Sequence, residues 1–106
     1  MKINDDPSMP ESMKQFRKLV RELMERDNVS LPRLAELSGQ EYATLWTLVN
    51  GNTLTPRPNV IMGLVRAFQL DQEPELLHRF VNAYFFTQFS ESWLNTAGFQ
   101  LEEAET

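Results

Sequence analysis

Acid–base or covalent chemistry needs residue types that this chain barely has. It holds one histidine, His78, followed by Arg79, and no cysteine. No nucleophile or carboxylate pair is arranged around His78 in sequence, so a surface or helix-packing role suits it better than catalysis. The lack of cysteine excludes a disulfide scaffold and a thiolate metal site. No glycine-rich phosphate loop and no metal-ligand spacing occurs. Neither enzyme activity nor a cofactor is expected, and binding chemistry remains. Its most informative stretch is residues 29–51, VSLPRLAELSGQEYATLWTLVNG. Ser30 suits the cap of a short helix, Ser38-Gly39 stops it, and a second short helix stops at Asn50-Gly51. Two short helices joined at a steep angle by a tight turn leave the front of the second free to enter a DNA major groove.

The elements that must position this corner are all helical, and no stretch sustains strand alternation. Ser8 and Glu11 form a capping box for a first helix of residues 9–27. Phe16, Leu19, Val20 and Leu23 give it one apolar stripe, and Asn28 ends it. In the second helix Leu34, Ala35 and Leu37 face inward, with Ala35 small enough for a close helix approach. The third helix spans Glu41 to Val49 with Leu45 and Leu48 in the core. Pro58 suits the first position of a fourth helix, which carries Ile61, Leu64, Val65 and Phe68 and ends near Leu70. A fifth helix covers residues 74–89.

Length and charge set the frame. The 106 residues, 42% hydrophobic and 24% charged, suit one globular domain. No apolar run reaches the roughly 18 residues of a membrane span. The first ten residues do not read as a secretory signal, so a soluble, cytoplasmic protein is expected. The net charge of −5 is unevenly spread. Residues 12–70 hold eight bases against five acids, whereas residues 71–106 hold Arg79 against seven acids. A basic middle between acidic ends is compatible with a polyanion partner, but a solvated surface is the plainer reading of the charge split alone. Arg17, Lys18 and Arg21 read either as a phosphate flank or, interspersed with Glu22 and Glu25, as a solvated face.

Leu34-Ala35, Gly39, Leu45, Leu48 and Asn50-Gly51, followed by Pro56 and the stretch to Leu70, resemble the lambda-repressor-like helix-turn-helix family of Cro/repressor or XRE type. The resemblance covers residues 12–70, more than half the chain. It implies an all-α bundle of four short helices, with the fifth helix added at the C-terminal end. It also implies a sequence-specific transcriptional regulator, a repressor by family habit, bound to double-stranded DNA. By position, the DNA-binding residues would be Glu41, Tyr42, Ala43 and Thr47, with Gln40 and Thr44 beside them. Arg57 would be a phosphate or minor-groove contact. Thr47 would donate or accept at a base, Ala43 would touch a thymine methyl, and Glu41 would accept from a cytosine amino group. Glu41 as a helix N-terminal charge and Tyr42 as an edge packing residue are the plainer alternatives. Leu31, Val49 and the uncharged loop Asn52-Thr53-Leu54-Thr55 depart from the family pattern and weaken the phosphate grip. The same fold would also serve as a protein-interaction module, such as an antitoxin or a phage-type regulator with a protein partner.

On a wheel of about 100° per residue, the fifth helix has two apolar arcs. Leu76, Leu77, Phe80, Val81 and Tyr84 lie on one, Phe85, Phe86, Phe89 and Trp93 on the other. The first arc suits the four-helix body. The second suits a homodimer interface, with fold-back of the chain after Ser90 as the rival. Trp46 is expected to pack partly buried, the rival being an exposed aromatic at a partner surface. The organisation expected is an N-terminal arm at 1–8, a helix-turn-helix domain at 9–70, a dimerisation helix at 71–95 and an acidic tail at 96–106.

Overall fold

The computed structural model describes residues 11–51 and 56–88. Five α-helices follow one another: α1 Glu11–Asp27, α2 Leu31–Ser38, α3 Tyr42–Asn50, α4 Pro58–Ala67 and α5 Pro74–Thr87, with a 3-10 turn at Leu70–Gln72 before α5. Among the described residues there is no strand, and the fold they form is all-α. No described helix is long and apolar enough to cross a membrane. The capping box at Ser8 and the loop 52–55 lie outside the described residues, as do Phe89, Trp93 and the tail.

The core forms where the expected stripes meet. Phe16, Leu19, Val20 and Leu23 of α1 are buried with Leu34 of α2, Leu45 and Leu48 of α3, and Ile61, Leu64 and Phe68 around α4. Met13, Val49, Val60, Leu70 and Phe80 join them. Removing side chains of this kind from water contributes roughly 1.5–3 kcal/mol each. Leu37, expected inside, is 40% exposed. It lies three residues after Leu34 but past the inward face of a helix of only eight residues.

Helix ends follow their local chemistry. Asn28 takes a left-handed φ of 52° after α1. The Ser30 hydroxyl accepts from the Arg33 backbone N–H at 3.3 Å, and Gly39 closes α2 with φ 72°. Left-handed backbone costs little only where no Cβ crowds the carbonyl, which is why glycine sits there. The fourth helix ends at Ala67 rather than near Leu70, because Gln69 takes a left-handed φ of 54° and redirects the chain into the 3-10 turn. Nothing in residue type announces that break, since glutamine is an ordinary helix former.

Two packings fix the frame. Helix α2 comes close to α4 at Gly63, where a Cβ would stand 2.5 Å from the Ser38 carbonyl oxygen. Helix α5 lies on α1 through Phe80 and Tyr84, whose rings sit 5.3 Å and 6.5 Å from that of Phe16. At its start, Arg26 of α1 donates to both Glu73 oxygens at 2.9 and 2.8 Å and also bonds Asp27. Hydrogen bonds to Asp27 and then Glu73 push the Arg26 guanidinium above its ordinary range, so it stays charged at any working pH.

Candidate functional site

Helix α3 is held from inside by an arginine. Arg17 of α1 is almost wholly buried, and its Nε and Nη2 donate to the Val49 carbonyl at 3.0 and 2.6 Å. The last carbonyls of a helix have no partner within it, and they form the negative end of its dipole. A buried guanidinium there both satisfies an acceptor and opposes that charge. Arg17 therefore leaves the basic cluster expected on the surface of α1. Its spacing showed this: Met13, Phe16, Arg17 and Val20 form one i, i+3, i+4, i+7 row, so Arg17 occupies a core position.

With Leu45, Leu48 and Val49 turned inward, the opposite side of α3 faces solvent. Tyr42, Ala43, Thr44, Trp46 and Thr47 are all exposed. Trp46, expected to be partly packed, is 47% exposed and Tyr42 49%. One turn separates them, so the two rings lie along the same flank of the helix.

An open concavity of about 690 Å³ collects six of the seven expected contact residues: Gln40, Glu41, Ala43, Thr44, Thr47 and Arg57. Tyr42 lies outside it, on the other flank. Gly39, Pro56 and Asn59 complete the lining over a floor of Leu48 and Val60. Sequence reasoning missed Asn59. It stands in the first turn of α4, where a polar side chain after Arg57-Pro58 was the available signal.

Geometry narrows what these groups can do. The Gln40 amide nitrogen donates to the Asn59 carbonyl at 3.2 Å, which ties the α2–α3 connection to the start of α4. Gln40 is thus first a positioning residue. The Thr47 hydroxyl donates to the Ala43 carbonyl at 2.8 Å, so it offers a ligand lone pairs rather than a proton. Glu41 caps α3 by backbone position without a side-chain cap bond, leaving its carboxylate exposed. The Arg57 side chain is exposed at the mouth of the concavity and the positive end of α4.

A second concavity of about 610 Å³ opens on the far flank of α3's C-terminal turn. Arg21, Met24, Glu25, Arg33, Val49 and Asn50 line part of it, with Arg33 paired to Glu36 at 3.1 Å. Arginines therefore stand on both flanks of α3, Arg57 on one and Arg21 and Arg33 on the other.

On α5 the expected second arc divides. Phe85 is 40% exposed, but Phe86 is buried at 4% and so is not part of an outward stripe. Val81, expected on the core arc, is 46% exposed. The exposed apolar side of α5 is thus Val81 with Phe85, one turn apart. The core side keeps Leu76, Leu77, Phe80 and Tyr84 of the expected arc and gains Phe86 and Thr87 in place of Val81, a modest rotation of the helix that the two-arc pattern left open.

No protein-family model, curated protein or solved structure matches this chain.

Proposed function

We propose that the chain is a sequence-specific, double-stranded DNA-binding transcriptional regulator of lambda-repressor-like helix-turn-helix type, acting in the cytoplasm as a homodimer. The supporting observation is the setting of α3: an exposed, uncharged helix face lying between two concavities, each edged by arginine alongside one glutamate. A helix in a major groove has a phosphate strand on either side. Cations on its flanks and neutral side chains on its crest suit that position. Residues Ala43 and Thr47 would meet base edges, and Arg57, Arg21 and Arg33 would meet phosphates. The apolar pair Val81 and Phe85 on α5 would join two copies, as a pseudo-palindromic operator requires. Repression would follow from occlusion of the bound site.

A second reading keeps the fold as a protein-interaction module, such as an antitoxin or phage-type regulator. The half-exposed Tyr42 and Trp46 favour it, because such residues are enriched at interface hot spots. Selection of binding sites from random duplexes, with sedimentation for the oligomeric state, separates the two. The regulator reading expects an enriched two-fold site, a dimer, and affinity that falls steeply as salt rises. A chain that enriches no duplex, or binds one without salt dependence, sinks it.

A further inference from the structure

Helix α3 carries no charged side chain along its whole length, YATLWTLVN. Recognition of guanine through its major-groove edge relies most often on a bidentate Arg or Lys, and α3 has neither. Arg57 belongs to the start of α4, across the concavity. Adenine is commonly read by a bidentate Asn or Gln. The Gln40 amide nitrogen gives one of its two protons to the Asn59 carbonyl, which holds this side chain at the α2–α3 connection, ahead of α3 rather than on its crest, and Asn50 closes the helix at its far end. The Thr47 proton is given to Ala43. On the outer surface of α3 the Thr44 hydroxyl lies toward the concavity, and the rest is mostly carbon: the Trp46 indole, the Ala43 methyl, the Thr47 methyl and the Tyr42 ring. On a wheel of about 100° per residue, Ala43 and Thr47 face away from the core and Trp46 lies about 60° to one side of Ala43. This places the largest exposed apolar side chain of α3 beside its crest rather than behind it.

The major groove offers one apolar group that distinguishes a base pair, the C5 methyl of thymine. We infer that Trp46, with Ala43 and Thr47 beside it, reads thymine methyl groups, so that the preferred sites carry thymine under α3. This rests on the DNA-binding reading above and names its base preference. Trp46 is then a specificity-determining residue. Glu41 contributes discrimination rather than affinity, since a carboxylate accepts from a base amino group and repels phosphate.

Uracil differs from thymine at this edge only by the missing methyl, which gives a clean test. The full chain is taken through selection from random duplexes. In the enriched site each thymine is then replaced singly by deoxyuridine, and affinity is measured for wild type, Trp46→Phe and Trp46→Ala. Thermal unfolding of the variants checks that all three fold. At one or two thymines per half-site, deoxyuridine should weaken wild type by about fourfold, the worth of one buried methyl. Trp46→Ala should bind the thymine duplex correspondingly less well and lose its sensitivity to deoxyuridine at that position. Trp46→Phe should keep most of both. A loss of affinity from misplacing α3 would not be confined to one methyl in this way. Equal affinity for thymine and deoxyuridine duplexes overturns the inference and leaves the regulator reading standing. Failure to enrich any duplex overturns both.

Discussion

The inner side of α3 sets Leu45, Leu48 and Val49 into the core and gives the Val49 carbonyl to the buried Arg17. The outer side holds Tyr42 and Trp46 half in solvent, beside an alanine and two threonines. The same nine residues thus carry two separate sets of requirements. Inward positions answer to packing density and to satisfied carbonyls, where small changes are felt throughout the domain. Outward positions are free of those demands, so their side chains are available to a partner. A helix organised this way should divide its mutations cleanly into those that cost stability and those that cost binding.

The largest expected effect is Gly63→Ala. A Cβ there would stand 2.5 Å from the Ser38 carbonyl, a backbone atom that cannot swing aside. The α2–α4 packing that supports the corner should lose about 3 kcal/mol, read as a lower denaturation midpoint. Next is Arg17→Met, which keeps the apolar stem and removes the donors to Val49. Leaving that carbonyl buried and unpaired should cost about 2 kcal/mol in chemical denaturation, and Arg17→Lys should recover part of it. Ser30→Ala, which removes the hydroxyl acceptor at the start of α2, should cost about 1 kcal/mol in thermal unfolding. At the small end, Thr47→Ala and Arg57→Ala should change stability by no more than about 0.5 kcal/mol. In duplex-binding assays the two should differ: Arg57→Ala weakens all sequences alike, whereas Thr47→Ala shifts preference among sites. Unchanged binding by the Thr47 variant would break the division between the two sides of α3, and unchanged binding by the Arg57 variant would remove the phosphate contact beside it.

How far the sequence foretold this can be judged residue by residue. The stripe of α1, the Ser30 cap, the Gly39 turn and the buried Leu45 and Leu48 were all readable, because each rests on local periodicity or on a residue with a special backbone role. Arg17 and Gly63 were readable in principle. A cation in an apolar row and a lone glycine inside a helix both mark close approach to another element, but the partner is distant in sequence. The end of α4 at Gln69 and the rotation of α5 were not readable, because they depend on how helices settle against one another. Phe85 and Phe86 are identical in type and adjacent in sequence. Only tertiary packing decides that one is exposed and the other buried. At the candidate site, six of seven expected residues converge on one concavity, since the corner that gathers them is a local structure. The exposure of Trp46 depended on which neighbours failed to cover it.

Phe16 and Arg17 are consecutive residues of α1. The first meets Phe80 and Tyr84 of α5, and the second grips the end of α3. A single peptide unit therefore joins the anchor of one helix to the anchor of the other. If two copies met through α5, the span between their α3 helices would be measured through this rigid junction rather than along a flexible linker. The molecule would work as a caliper, accepting sites of one separation and rejecting those a base pair longer or shorter.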